Sequence, residues 1–197
     1  MTSIFFQPWR GDCYGNGFLG KRALVLGESH YDWDKEEPID KMPLLTQRCI
    51  QEQIDGLWSK PFWTNIAATF LGHLPELSEK KAFWNSVAFY NYVQSSAGYG
   101  PRKRPTPQQW QDAWVPFTEV LGELKPEVVI VLGYRLWENL PSHGSAGPRI
   151  EKAPRQKDTW RYAYAGGSCL AYGIRHPSAG FSSSLWHPHV LSAVSIA

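Results

Sequence analysis

The hydrophobic residues of the chain fall into short continuous runs that are separated by segments with helical spacing. Residues 22–27 and 127–133 are almost wholly apolar and end at a glycine, which is the pattern of a buried strand that stops at a turn. Residues 86–93 are a third strand candidate, and residues 160–165 and 169–175 are two further extended stretches. Helical spacing between these runs predicts helices over residues 43–58, 62–71, 108–124, 134–140 and 183–195.

Buried strands that alternate with helices are typical of an α/β fold, in which helices cover both faces of a mostly parallel sheet. The length of 197 residues suits one domain, and 43% hydrophobic with 19% charged residues is enough apolar material for a core. We therefore expect a single domain over residues 1–197, in which residues 1–20, with their several glycines, form an N-terminal arm.

Polar side chains cluster where the predicted strands end. The turn Gly27–Tyr31 brings a carboxylate, a hydroxyl, an imidazole and a phenol together directly after the first strand. Asn91 falls at the end of the next strand, and His176 with Pro177 follows the last one. Because ligands of parallel sheets bind at the carboxyl ends of the strands, this density of polar groups indicates a functional site. A turn whose polar groups only satisfy one another is the alternative.

The residue types at these strand ends suit one kind of chemistry. Pro177 restricts the backbone of His176, so the chain itself aims the imidazole. A carboxylate such as Glu28 that faces this imidazole, with no metal and no nucleophile, suits hydrolysis of an N-glycosidic bond. The carboxylate positions water and stabilises an oxocarbenium-like sugar, while a hydrogen-bond donor stabilises the departing base. The carboxamide of Asn91 offers one donor edge and one acceptor edge to a base.

Four segments together resemble the uracil-DNA glycosylase superfamily, and the resemblance covers roughly residues 20–195. Gly27–Tyr31 is similar to the water-activating motif, and residues 87–91 are similar to the second strand with its base-reading Asn. Residues 125–134 resemble the third strand and its exit, and residues 176–182 resemble the final His-Pro-Ser motif. The resemblance implies a three-layer αβα sandwich around a central, mostly parallel four-stranded sheet, and a DNA glycosylase that acts on a flipped-out uracil or modified pyrimidine.

The resemblance also implies roles for the residues in the reaction. Branches of the superfamily with Glu directly after the Gly make Glu28 the catalytic acidic residue. His176 then donates to the carbonyl oxygen of the leaving base, and Asn91 reads its hydrogen-bonding edge. Those branches typically hold an iron–sulfur cluster on four cysteines, and because this chain has three we expect no cluster.

The base pocket departs from the commonest form of the superfamily motif, Gly-Gln-Asp-Pro-Tyr. Ser29 stands where that motif has Asp, and His30 stands where it has Pro. Tyr31 falls where some members place a Tyr that walls the pocket against the 5-position of a pyrimidine. We therefore expect Ser29, His30 and Tyr31 to shape a base pocket that differs from that of a uracil enzyme. Such a pocket suits DNA repair, or defence against phages whose DNA carries modified bases.

Contacts to DNA are expected from two loops. In the last motif, the resemblance implies that Ser178 and Ser182 bind phosphates and that Phe181 lies near the position of the wedge that unstacks the duplex. The other loop carries a basic run between prolines, for which phosphate contact and simple solvation are both open. This basic run consists of Arg102, Lys103 and Arg104.

Charge and composition change this picture little. The net charge of +2 and the pI of about 8.4 are too mild to identify a nucleic-acid-binding protein by themselves. Three separated cysteines indicate reduced thiols, and the motif from His187 to His189 suits no common zinc pattern. We expect a cytoplasmic monomer that binds single- or double-stranded DNA, with no membrane segment, cofactor or metal. To the charged stretch 32–37 we assign only solvation.

Two alternatives differ from a glycosylase in kind. One is a non-catalytic DNA-binding protein with a glycosylase fold, which the replacement of Asp by Ser29 favours. The other is a serine hydrolase that uses Ser29, because the turn is one residue away from Gly-x-Ser-x-Gly. Tyr31 replaces the last small residue that this strained turn needs, which disfavours the hydrolase.

Overall fold

The computed structural model describes residues 2–34, 36–58, 60–100, 103–178 and 180–197. They form an α/β fold with a seven-stranded mixed sheet. The strands in chain order are β1 (Trp9–Arg10), β2 (Ala23–Gly27), β3 (Ala88–Asn91), β4 (Val128–Leu132), β5 (Ser145–Ala146), β6 (Thr159–Tyr164) and β7 (Gly167–Ile174). The helices are α1 (Leu45–Ile54), α2 (Pro61–Leu71), α3 (Leu77–Ser86), α4 (Pro107–Asp112), α5 (Trp114–Leu124), α6 (Tyr134–Glu138) and α7 (Ser183–Ile196), with a short 3-10 helix at Ile39–Lys41.

The strand order across the sheet is β1-β3-β2-β4-β7-β6-β5. The four inner strands β3, β2, β4 and β7 are parallel, and the three outer strands pair antiparallel to them and to one another. The prediction of a four-stranded sheet is therefore wrong in number. Strands β1 and β5 have two residues each, too few to show an alternating pattern, and β6 joins the sheet through a tight hairpin to β7.

Helices cover both faces of the sheet, as the sequence predicts. Alternate residues of β2 point to opposite sides, because successive side chains of a strand do so. Val25 lies in the core beneath α1, α2, α3 and α7, whereas Leu24 and Leu26 lie in the core on the side of α4, α5 and α6. The parallel strands are thus buried on both faces, and this explains why their sequences are continuously apolar.

The helices differ from the sequence predictions in two places. α3 was not predicted, because its sequence is mostly polar and buries only Phe83 and Trp84. Its one local signal is a capping box formed by Glu76 and Glu79. The predicted helix over 108–124 is two helices separated at Ala113. Among the described helices, none combines the length and the apolar character that crossing a membrane requires.

Candidate active site at the carboxyl ends of the parallel strands

The four parallel strands end at one edge of the sheet. Gly27 of β2 pairs with Asn91 of β3, and Leu132 of β4 pairs with Ile174 of β7. Glu28 and His176 therefore follow strands that end at the same level, with only β4 between them. Two inter-strand spacings separate β2 from β7, roughly 10 Å between their backbones. The name strand-end cleft is used below for this edge of the sheet, from Glu28 to His176, and denotes its position in the fold.

Gly133 lies between the two groups, directly after β4. Its N–H donates to the carbonyl oxygen of Ile174 at 2.9 Å, which extends the β4–β7 ladder by one bond. Its φ of 117° is in the region that favours glycine, and a Cβ built there would lie 3.5 Å from the Cβ of His176. Because Gly133 carries no side chain, the backbone of β4 ends beside His176 without projecting a group between it and Glu28.

Glu28 is half-buried, and its charge is shaped by two arginines. Burial raises the pKa of its carboxyl group, because desolvation penalises the charged form. The guanidinium groups of Arg135 and Arg104 act in the opposite direction and favour the carboxylate. The backbone is fixed as well, since the N–H of Val93 donates to the carbonyl oxygen of Glu28 at 3.0 Å. The result is a carboxyl group with an elevated pKa on a fixed backbone, and a shifted pKa is common at functional sites.

His176 is solvent-exposed but held on one side by α2. Phe62 stacks on the imidazole with 5.2 Å between ring centroids and 27° between planes. Asn65 Nδ2 donates to the carbonyl oxygen of the buried Pro177 at 3.3 Å, and this bond ties the loop to the same helix. Partial desolvation lowers the pKa of His176 from its ordinary value, which favours the neutral ring. A neutral imidazole keeps one N–H for a ligand oxygen.

Asn91 and His30 form a buried pair. They are 6% and 8% exposed, and Asn91 Nδ2 donates to His30 Nε2 at 3.0 Å. The hydroxyl of the buried Thr46 lies 2.9 Å from the same nitrogen. The ring of Phe6 packs on the imidazole in a T-shaped arrangement, with 4.7 Å between the ring centroids. Burial lowers the pKa of His30 to about 4, so the ring is neutral and its Nε2 accepts the hydrogen bond from Asn91. The structure thus places His30 behind Asn91, where it orients the carboxamide.

Gly27 permits this arrangement, because the side-chain oxygen of Asn91 occupies the place that a Cβ at position 27 would take. Ser29 and Tyr31 are half-buried in the same turn. The turn is hydrogen-bonded to the loop after β3, where the N–H of Ala97 donates to the carbonyl oxygen of His30 at 2.9 Å. The polar turn is therefore part of the folded scaffold.

Asp32 has a structural role that the sequence analysis did not predict. Its carboxylate accepts a bond from Ile39 N–H at 3.0 Å and a short bond from the hydroxyl of Ser96. Its backbone pairs with Tyr99, donates to Gly98 and accepts from Gly100. Solvation alone is therefore a wrong description of this residue. Asp32 therefore joins the loop after β2 to the loop after β3.

The basic loop reaches the strand-end cleft through Arg104. Arg102 lies outside the described residues. Lys103 and Arg104 are both exposed, and the aliphatic part of Lys103 lies close to Gly98. Arg104 is near enough to Glu28 to favour its ionised form. The tertiary structure thus brings one member of the predicted phosphate-binding run beside the predicted catalytic carboxylate.

The loop after His176 leads into α7. Ser178 is exposed, and its N–H donates to the carbonyl oxygen of His176 at 2.8 Å. Ser182 caps α7, where its hydroxyl accepts from the N–H of Leu185 at 3.3 Å. Phe181 is half-buried against the core on the α7 side, whereas Leu185 is 50% exposed. The loop therefore presents polar groups such as Ser178, and the first turn of α7 adds the exposed apolar side chain of Leu185.

Phe62 and Arg135 are the two cleft residues that sequence reasoning missed. Both lie on helices whose local patterns are ordinary, so no local signal distinguishes them.

Within the described part of the chain, His, Cys, Asp and Glu side chains form no group of three or more that could hold a metal ion. Two shallow depressions lie elsewhere, one beside Phe18 and Phe83 and one beside Trp137 and Trp160.

Comparison with known proteins adds no relative to this picture. No protein-family model matches the chain, and no curated protein matches it. The geometry of the strand-end cleft therefore has to carry the argument for function by itself.

Proposed function

We propose that this protein is a DNA glycosylase, which hydrolyses the N-glycosidic bond of a flipped-out uracil or modified pyrimidine. The observation that supports this most is the placement of Glu28 and His176 after strands that end at one edge of the sheet, with Gly133 between them. The proposal takes the strand-end cleft as the site where the base and its sugar bind.

In the proposed reaction, Glu28 as carboxylate orients a water molecule towards the anomeric carbon of the sugar. The C–O bond forms as the C–N bond to the base breaks, and the electron pair of that bond leaves with the base. His176, neutral at the start, donates a hydrogen bond from its imidazole N–H to the carbonyl oxygen on which negative charge grows. The proton lost by water passes to Glu28, and the base anion takes up a proton after release.

Base recognition is assigned to Asn91, with the pocket completed by Ser29 and Tyr31. The bond from Asn91 Nδ2 to His30 fixes the orientation of the carboxamide. A fixed carboxamide discriminates between bases because its donor and acceptor positions cannot exchange. Lys103, Arg104, Ser178 and Ser182 are proposed to contact phosphates, and Phe181 to support the gap that the flipped base leaves.

The proposal is tested by base release from oligonucleotides that each carry one deaminated or modified pyrimidine, in single- and double-stranded form, with detection by mass. Glu28→Gln and His176→Ala are each expected to lower the rate at least about 100-fold. The control is His73→Ala with Glu79→Gln, an exposed imidazole–carboxylate pair at 2.9 Å on another part of the surface. If the wild-type protein releases none of the bases, the proposed glycosylase activity is refuted.

A non-catalytic DNA-binding protein is the second candidate. It is favoured by Ser29, which stands where the superfamily motif carries its catalytic Asp. This candidate predicts salt-dependent binding of DNA that Glu28→Gln leaves unchanged, with no release of base. The same oligonucleotide panel separates the two functions, because binding and release are measured on the same substrates.

A further inference from the structure

Arg135 has a guanidinium nitrogen that makes no hydrogen bond to any of the described residues. It is the second residue of α6, two positions after Gly133 at the end of β4. Asn139 Nδ2 donates to its backbone carbonyl oxygen at 2.8 Å, so that contact holds the backbone and leaves the guanidinium alone. The side chain lies near Glu28, as its effect on that carboxyl group shows.

The guanidinium is buried in part and incompletely bonded. Its Nη1 atom is inaccessible to solvent and has no hydrogen-bond partner among the described residues. The ion pairs formed within the described chain do not include Arg135, so its guanidinium acts on Glu28 from beyond 4.0 Å. Because an unmade bond of a buried charged donor is costly, such a group in a native fold requires an explanation.

The local charge favours an anion as the missing partner. The guanidinium groups of Arg135 and Arg104 both act electrostatically on the carboxylate of Glu28 and favour its ionised form. The cleft therefore carries an excess of positive charge at the end of β4. A guanidinium fork matches the geometry of phosphate oxygens, and it binds them more strongly than neutral donors do.

We propose that Arg135 is the phosphate-binding residue inside the strand-end cleft, and that its guanidinium takes a non-bridging oxygen of the phosphodiester next to the flipped nucleotide. The inference rests on the proposed function only in taking a nucleic acid as the ligand. It does not need the bond to the base to be cut. Arg135 is half-buried, whereas Lys103 and Arg104 are exposed. Arg135 is therefore reached only by a strand that is already bound at the strand-end cleft.

Binding of a single-stranded oligonucleotide with a tetrahydrofuran abasic analogue at its centre tests the inference, because this probe has no base to release. Arg135→Met is expected to weaken binding about 10-fold or more. The negative slope of log K against log salt is expected to become shallower by about 0.7. The matched control is Arg161→Met. Arg161 lies on β6 level with Leu170, which pairs with Val128 at the opposite edge of the sheet. Its loss is expected to change affinity less than about 2-fold.

A second probe identifies the group that Arg135 contacts. One uncharged methylphosphonate replaces the phosphodiester on the 5′ or the 3′ side of the analogue. At one of these two positions, the methylphosphonate is expected to weaken binding to the wild-type protein as much as Arg135→Met does, and to weaken binding to Arg135→Met no further. If the methylphosphonate and Arg135→Met instead weaken binding independently at both positions, so that their losses add, the assignment to phosphate would be overturned.

Three other outcomes would also overturn it. Affinity of Arg135→Met within 2-fold of the wild-type value would show that no anion binds there. An unfolding temperature lowered by several degrees relative to Arg161→Met would show a structural role instead. Unchanged affinity with a lower rate of base release would place Arg135 on the leaving base. Failure of the wild-type protein to release any base refutes the glycosylase but leaves the binding comparison intact.

Discussion

His30 and His176 are two histidines near one site, and their surroundings give them different roles. His30 is enclosed by Phe6, Thr46 and Asn91, so it stays neutral and acts as a hydrogen-bond acceptor inside the fold. His176 keeps a face towards solvent, and Phe62 stacks on its ring. At the scale of the residue, the number and polarity of neighbours decide whether an imidazole orients another side chain or meets a ligand.

The buried His30 predicts a dependence of stability on pH. The pKa is about 6.5 in the unfolded chain and about 4 in the folded one, so between these values only the unfolded chain binds the proton. His30 therefore does not reduce the free energy of unfolding above pH 6.5. As the pH falls from 6.5 towards 4, this one group lowers the free energy of unfolding by up to about 3 kcal/mol. Urea unfolding at a series of pH values measures this loss.

His30→Gln removes the titrating group but keeps a polar side chain, and is expected to flatten the dependence between pH 6.5 and 4. The exposed His73 serves as the control in His73→Gln, which should leave the steep part in place. Parallel curves for the wild-type protein and His30→Gln would contradict the assignment.

At the scale of the element, the inner strands were predictable and the edges of the sheet were not. β2 and β4 are buried on both faces, so burial alone dictates continuous apolar runs. β1 and β5 carry two residues each, which is too little for a local pattern, and the partner of β1 is the distant strand β3. α3 was hidden because most of its surface faces solvent. Local patterns reveal an element only when the element buries enough of its own side chains.

α2 positions the His176 loop, and this predicts a mutant phenotype. Phe62→Leu removes the ring that stacks on the imidazole and is expected to lower kcat for base release roughly 10- to 100-fold with little change in KM, because the donor loses its orientation. Steady-state kinetics with thermal unfolding measure both effects. The control is Phe18→Leu, a partly buried phenylalanine that packs on Phe70 elsewhere. Equal loss of activity in both variants would show a general effect of stability.

At the scale of the whole molecule, the fold collects cationic groups at one edge of the sheet although the net charge is only +2. Lys103 and Arg104 come from the loop after β3, and Arg135 comes from α6 after β4. The separation along the chain is large, and the parallel arrangement of the strands removes it. An average over the sequence therefore understates the positive charge that a ligand meets at the strand-end cleft.

This placement predicts the salt dependence of DNA binding. The double variant Lys103→Gln/Arg104→Gln is expected to make the negative slope of log K against log salt shallower by about 1.4 on single-stranded DNA, since each phosphate contact contributes about 0.7. The control is Lys21→Gln/Lys125→Gln, whose residues precede β2 and β4 at the opposite edge. Titrations of a fluorescent oligonucleotide at several salt concentrations give the slopes, and equal slopes for the two double variants would refute the contact.

The sequence by itself determined the α/β class, the four inner strands and the strand ends at which polar groups gather. These features follow from burial on both faces of a strand and from the residue types that come directly after it, which are both local properties. The tertiary structure alone decided that His30 supports Asn91, that Phe62 stacks on His176 and that Arg135 Nη1 has no hydrogen-bond partner within the described part of the chain. Each of these depends on residues far apart in the chain, and the distance between such residues is set by packing rather than by any pattern along the sequence.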